Sequence, residues 1–261
     1  MSTLHRYELG DPAGPPLLAV HGITAHGLRF RRLAEECWPT RRTVAVDLRG
    51  HGRSTSDGPW SIQQHVTDLL DTLDALALDR VDVVGHSYGG NIGVQLLATA
   101  PQRVRRLVLL DPALAQPGSS ASEAAMDTIE DAGWASVNEA TDARNRGLTA
   151  DGSINPAVPV EIAEHLTLGD DGRYRFRYHR PTVVTAWGEV CYPLPIALER
   201  RPTLLVVAER AGLVSDDVVV GLDAMLGDDL HVVRLDCGHM LYWEAFDETA
   251  AAIDAFLTGT E

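Results

Sequence analysis

Short apolar runs, separated by segments with helical periodicity, constrain the fold of this chain more than any other feature. Each run has four to six residues, is rich in valine and leucine, and contains few polar residues. Runs of this kind are typical of strands in a parallel sheet that is covered on both faces. They occupy residues 17–20, 43–47, 81–85, 107–111, 203–208 and 231–235.

The segments between these runs have apolar residues at helical spacing, most clearly at 69–78, 92–100 and 249–257. Alternation of strands and helices predicts an α/β protein with a mostly parallel central β-sheet flanked by helices. Residues 4–9 alternate between polar and apolar side chains, which predicts an additional antiparallel strand at the sheet edge. The length of 261 residues fits one domain that carries an insertion.

The alternation breaks between residues 112 and 202, where no parallel-sheet strand is recognisable. This stretch is too long for a loop. It contains a helical pattern at 122–137 and a segment rich in aromatic residues and arginines at 173–195. We interpret 112–202 as an inserted helical cap, which divides the core into a first part, 1–111, and a second part, 203–261. Its arginines at 173–180 are interpreted as solvated surface residues.

Composition excludes several classes of function. The net charge of −15 would repel a phosphate backbone, so we expect no nucleic acid partner. No stretch approaches the ~18 apolar residues of a membrane span, and the first residues lack the pattern of a signal peptide. Three scattered cysteines favour a reducing compartment. The sequence therefore predicts a soluble cytoplasmic protein of unknown oligomeric state.

The strongest chemical signal is GHSYGG at residues 85–90, between a predicted strand and a predicted helix. A G-x-S-x-G turn in this setting exposes the hydroxyl of Ser87 above the sheet, and glycines are needed because the turn is sharp. A phosphate loop would require Gly-Lys-Ser/Thr, and a dinucleotide fingerprint would require G-x-G-x-x-G. Neither pattern is present, so Ser87 is predicted to be a nucleophile.

A serine nucleophile needs a general base and an oxyanion hole. His239 follows the last predicted strand, at the sheet edge where α/β sites form, and is the predicted base. The backbone N–H groups of Ile23 and Tyr88 are the predicted oxyanion donors. His21 and His26 have no further metal ligands nearby in the sequence, so we expect no metal site.

Taken together, these segments resemble the α/β-hydrolases that carry a cap, of the lipase, esterase and lactonase type. The resemblance rests on HGI (21–23), DLRGHGRS (47–54), GHSYGG (85–90) and GHMLYWEAFDE (238–248). In that family the acid that supports the histidine usually follows the strand corresponding to 203–208, in a pattern like G-x-x-D-x-x-V. Here Ala211 occupies that position, and an alanine cannot accept a hydrogen bond from the histidine.

Three interpretations of the missing acid remain open. Asp111, which ends the strand after the nucleophile helix, is preferred because it emerges beside Ser87 at the same sheet edge. Alternatively, Asp111 only forms a turn together with Pro112 and has no role in catalysis. The second interpretation uses Glu209, or Asp216 or Asp217 further along the loop. The third is that no acid supports His239.

The predicted activity is hydrolysis of a small carboxylic ester or lactone through an acyl-enzyme on Ser87, with no cofactor. Carbon–carbon bond hydrolysis of diketones on the same serine scaffold is an alternative enzyme activity. A serine at the nucleophile position disfavours dehalogenase and epoxide hydrolase chemistry, which uses an aspartate in this fold. The alanine at 211 motivates a further alternative, a non-catalytic protein that binds small ligands.

Overall fold

The computed structural model describes residues 4–259, which contain a seven-stranded sheet and a separate two-stranded ribbon. Each apolar run predicted as a strand lies in the large sheet, so the predicted α/β class is confirmed. The strands of this sheet are β1 (Arg6–Gly10), β2 (Pro16–Val20), β3 (Arg42–Val46), β4 (Val81–His86), β5 (Val104–Leu110), β8 (Thr203–Ala208) and β9 (Leu230–Leu235). The ribbon pairs β6 (Leu166–Leu168) with β7 (Tyr174–Phe176).

Strand order in the large sheet is β1-β3-β2-β4-β5-β8-β9. β1 runs antiparallel to β3 at the edge, as the alternation at 4–9 predicts, and the remaining pairs are parallel. Because all parallel strands end at the same edge, the loops after β2, β4, β5, β8 and β9 meet there. β4 is central, and β5 and β8 follow it in order, so their ends are neighbours.

Both faces of the sheet are covered, which explains why its strands are apolar on both sides. In β2, Leu18 and Val20 belong to one hydrophobic cluster, whereas Leu17 and Ala19 belong to another. The first cluster includes residues of α2 (Ile62–Ala75), α3 (Tyr88–Thr99) and α8 (Asp216–Leu226). The second includes residues of α1 (Arg31–Glu36), α9 (Leu241–Glu244) and α10 (Phe246–Thr258).

The segment 112–202 lies between β5 and β8 and contains helices together with the β6–β7 ribbon. The predicted helix at 122–137 is wrong in its bounds. The observed helix begins at Gly118 and ends at Glu130. The chain turns there, because Gly133 has a φ of +69° and its N–H donates to Asp131 Oδ1 at 2.7 Å. The helices are α4 (Gly118–Glu130), α5 (Val137–Asn145), α6 (Ala157–His165) and α7 (Arg180–Glu189).

Within residues 4–259, no helix is both long enough and apolar enough to cross a bilayer.

Candidate active site

Ser87 occupies a strained turn between β4 and α3. Its φ is +56° and its ψ −120°, a conformation that L-residues rarely adopt and that is typical of functional sites. The turn requires glycine at Gly89, where an added Cβ would lie 2.1 Å from the carbonyl oxygen of Val20. The Ser87 N–H donates to the Leu110 carbonyl at 3.0 Å, which ties the turn to the end of β5. The serine is thereby held rigidly at the carboxyl edge of the sheet.

The loop after β2 packs directly against the serine. A Cβ added at Gly22 would lie 2.9 Å from Ser87 Cβ and 3.4 Å from Ser87 Oγ, so only glycine permits this approach. The next residue is Ile23, whose side chain is buried. Tyr88 is the first residue of α3, and no earlier carbonyl of that helix can accept its N–H. Ile23 and Tyr88 therefore directly follow the two residues, Gly22 and Ser87, that pack against each other.

The structure brings Asp111 and His239 together. His239 Nδ1–H donates to Asp111 Oδ2 at 2.7 Å, and Asp111 Oδ1 accepts the Ala208 N–H at 3.1 Å. Asp111 is fully buried and has a φ of +42°, whereas 37% of the His239 side chain is exposed. With Nδ1 engaged by the carboxylate, Nε2 is the ring nitrogen left to act on a neighbouring group. Asp111 thus contacts the histidine and does more than form a turn with Pro112.

The other candidate acids lie elsewhere. Glu209 and Asp217 are exposed, and Asp216 pairs with Arg234 at 3.4 Å on the surface. Ala211 packs against the hydrophobic cluster beneath the loop. Among residues 4–259, Asp111 is the carboxylate that hydrogen-bonds to His239.

His86 also belongs to this site, although the sequence analysis did not single it out. Its Nε2–H donates to the His239 carbonyl at 2.9 Å, and its Nδ1 accepts from the Tyr242 hydroxyl at 3.2 Å. Burial, reinforced by the neighbouring His239, holds the pKa of His86 well below its usual range, so the ring is neutral. Its position directly before Ser87 is the feature of the sequence that could have indicated its place in the site. His86 therefore links the serine turn to the backbone of His239.

His21 and His26, considered above as a metal pair, make separate contacts. His21 Nδ1–H donates to the Gly22 carbonyl at 2.7 Å, and its Nε2 accepts the Leu48 N–H at 2.9 Å, which fixes the loop beside Ser87. His26 instead contacts Glu161. Within the described part of the chain, no group of three or more His, Cys, Asp or Glu residues is placed to hold a metal ion.

A cavity of about 490 Å³ lies beside this site, between α1, α6 and α9. Arg29, Glu161 and Tyr242 form part of its wall, and Ser87 and His239 do not. It is therefore distinct from the space directly above the serine.

Comparison with known proteins gives consistent similarities. The family model for the α/β-hydrolase fold matches residues 15–246. Lipase LipV of Mycobacterium tuberculosis is 38% identical over 254 residues, which cover 96% of each chain. N-formylmaleamate deformylase of Pseudomonas putida is 28% identical over 250 residues, covering 94% of this chain and 89% of the deformylase. A crystal structure of E-2-(acetamidomethylene)succinate hydrolase superposes with a TM-score of 0.83 at 23% identity, covering 98% of this chain and 95% of that one.

Proposed function

Because the chain belongs to the α/β-hydrolase fold family, we propose that it is a serine hydrolase that cleaves a small carboxylic ester or lactone. The observation that carries the proposal is the 2.7 Å hydrogen bond between Asp111 and His239, beside the strained turn of Ser87. Similarity to a lipase along nearly the whole chain supports an ester as the substrate.

The proposed mechanism starts with proton transfer from Ser87 Oγ to His239 Nε2 as the oxygen attacks the ester carbonyl. Asp111 holds the imidazole in the required tautomer and stabilises the imidazolium that forms. The N–H groups of Ile23 and Tyr88 stabilise the negative oxygen of the tetrahedral intermediate.

The intermediate collapses when the C–O bond to the leaving group breaks and His239 returns its proton to the departing alcohol. Water, deprotonated by His239, then attacks the acyl-enzyme, and the carboxylic acid is released from Ser87. In a lactone the alcohol and the acid belong to the same molecule, so ring opening yields a hydroxy acid. Besides the substrate and water, these steps use only groups of the protein.

A second candidate is hydrolysis of a bond other than an ester, by the same acyl-serine chemistry. The similarity to N-formylmaleamate deformylase favours it. Carbon–carbon bond hydrolysis of diketones belongs to this candidate. The non-catalytic alternative rested on Ala211, and the contact between Asp111 and His239 supports the enzyme instead.

The test is release of nitrophenol from 4-nitrophenyl butyrate by the wild type and a Ser87→Ala variant. We expect kcat to fall by about 10⁴-fold or more, since loss of a nucleophile removes the acyl-enzyme route. Ser119→Ala is the matched control, because Ser119 is an exposed serine of α4. Equal hydrolysis by the wild type and Ser87→Ala would contradict the proposed mechanism.

A further inference from the structure

A cluster of buried charged residues lies between the loop after β2 and the segment 112–202. His26 Nε2 contacts Glu161 Oε2 at 2.9 Å, and Arg29 Nε donates to the same oxygen at 3.3 Å. A second nitrogen of Arg29 donates to Glu161 Oε1. From α5, Arg144 Nη2 also reaches Oε1, at 3.4 Å. Glu161 is only 3% exposed, so this single carboxylate is shared by all three groups.

The cluster contains more positive than negative charge. Arg29 and Arg144 are two guanidiniums, and Glu161 is the carboxylate that contacts both. The nearby Glu164 pairs with Arg31 instead. Burying a cation without full compensation is unfavourable, so the arrangement favours entry of a further anion.

Arg144 has a hydrogen-bond donor that no other group uses. Its contact to Glu161 is made by Nη2, and its buried Nε has no hydrogen-bond partner within residues 4–259. Burial, together with repulsion from Arg29, lowers the pKa of the guanidinium to about 10 even beside Glu161. The group packs over the ring of Phe176, with Cζ 4.0 Å from the ring centroid, and 19% of its side chain is exposed. It is thus oriented by its surroundings and still accessible.

Two chains of contacts connect this cluster to the catalytic residues. Arg29 interacts with the Tyr242 hydroxyl, which donates to His86, the neighbour of Ser87. On the other side, the rings of Tyr178 and His51 are 6.4 Å apart, and His51 Nε2–H donates to the Ile23 carbonyl.

Tyr178 also lies beside the cluster, since its ring is 6.5 Å from that of His165, which stacks on His26 at 4.5 Å. The cluster is therefore linked through intervening side chains both to the serine turn and to Ile23 in the loop after β2.

We propose that Arg144, supported by Arg29 and Glu161, binds a carboxylate group of the substrate, so that the preferred substrate carries a free carboxylate in addition to the bond that is cleaved. A guanidinium matches a carboxylate in shape and charge and can donate two parallel hydrogen bonds to it. The inference rests on the proposed function, because the bound carboxylate belongs to the molecule that Ser87 attacks.

The experiment compares acid-bearing esters with a neutral one. 4-Nitrophenyl hemisuccinate carries the carboxylate on the acyl half and 4-carboxyphenyl butyrate carries it on the leaving group, whereas 4-nitrophenyl butyrate is neutral. For each acid-bearing ester, the measured quantity is its kcat/KM divided by the kcat/KM of the neutral ester. We expect Arg144→Gln to lower this ratio by about 10- to 100-fold for at least one of the two esters, which is the effect of losing a charge-assisted hydrogen bond. The change should lie mainly in KM.

Two further variants separate binding from folding. Arg146→Gln removes the same charge two residues away, from an exposed arginine, and should leave both ratios as in the wild type. Arg144→Lys keeps the charge without the planar donor group, and its ratio should fall between those of the wild type and Arg144→Gln. If both ratios are unchanged in Arg144→Gln, the cluster is a structural Arg–Glu–Arg arrangement and the inference is overturned.

A binding measurement separates this inference from the proposed function. If the wild type hydrolyses none of the three esters, the ester-hydrolase proposal fails. Calorimetric titration with glutarate then decides the carboxylate site by itself. Binding to the wild type that weakens at least tenfold in Arg144→Gln supports the site, and equal or absent binding overturns it.

Discussion

The loop after β5 and the loop after β8 leave neighbouring strands at the same sheet edge, yet only one of them supports the histidine. The first begins with Asp111, a fully buried carboxylate that accepts two hydrogen bonds, one from His239 and one from the Ala208 backbone. The second contains Glu209, Asp216 and Asp217, all exposed. Proximity to the carboxyl edge of the sheet is therefore not sufficient, because a carboxylate must also be buried and oriented to hold an imidazole.

The positions of the two loops explain how an acid in either of them can reach the histidine. β5 and β8 are adjacent, and their backbones are joined where the Asp111 N–H donates to Val206 at 2.8 Å. The loop after β8 in turn runs beside the loop that carries His239, since the Arg210 N–H donates to Cys237 at 3.1 Å. A side chain at the end of either strand therefore lies close in space to the loop that carries the His239 imidazole.

The largest effect on activity is expected from Asp111→Asn, which tests whether the loop after β5 supplies the acid. The amide keeps the size of the side chain and the acceptor for the Ala208 N–H, but its NH₂ group cannot accept the proton of His239 Nδ1. We expect kcat for 4-nitrophenyl butyrate to fall by about 10³- to 10⁴-fold. Thermal unfolding of the variant should be measured in parallel. If activity is retained by a folded variant, Asp111 is not the acid.

A smaller effect, in the opposite direction, is expected when an acid is placed in the loop after β8. In the Asp111→Asn background, Ala211→Asp should restore kcat by about 10- to 100-fold, because a new carboxylate can orient part of the histidine population. The comparison is between the single and the double variant under the same conditions. No gain in the double variant would mean that this loop can no longer approach His239 productively.

The smallest effect is expected from the exposed acids. Glu209→Gln and Asp216→Asn should each change kcat less than twofold and the free energy of unfolding by less than about 0.5 kcal/mol, because surface ion pairs contribute little. Urea unfolding and the same ester assay measure both quantities. A large loss of activity in Glu209→Gln would reverse the assignment of the two loops.

The sheet and the residues at its carboxyl edge could be predicted because their signals are local. A strand that is buried on both faces is continuously apolar, and the turn that carries Ser87 requires glycines at fixed spacing. Asp111 follows from topology, since 24 residues after Ser87 allow one helix and a return strand.

The contacts around Ser87, His239 and Asp111 could not be predicted, because they join residues far apart in the sequence. Tyr242 and His86 are 156 residues apart, and Arg29 and Glu161 are 132 residues apart. Charged residues on an amphipathic helix usually face solvent, so nothing local distinguishes the buried Glu161 of α6 from its exposed neighbours. The turn after Glu130 was missed for a related reason, since the pattern at 122–137 continues past the residue where the backbone turns.

The exposed loop after β8 has a practical consequence. Residues 209–213 are exposed or only partly buried, and they include Gly212, which has a φ of +62°. Within residues 4–259, this stretch has no carboxylate that touches the imidazole. A short reporter peptide or an affinity tag could therefore be spliced in at Gly212, where an added Cβ would meet no atom within 4 Å.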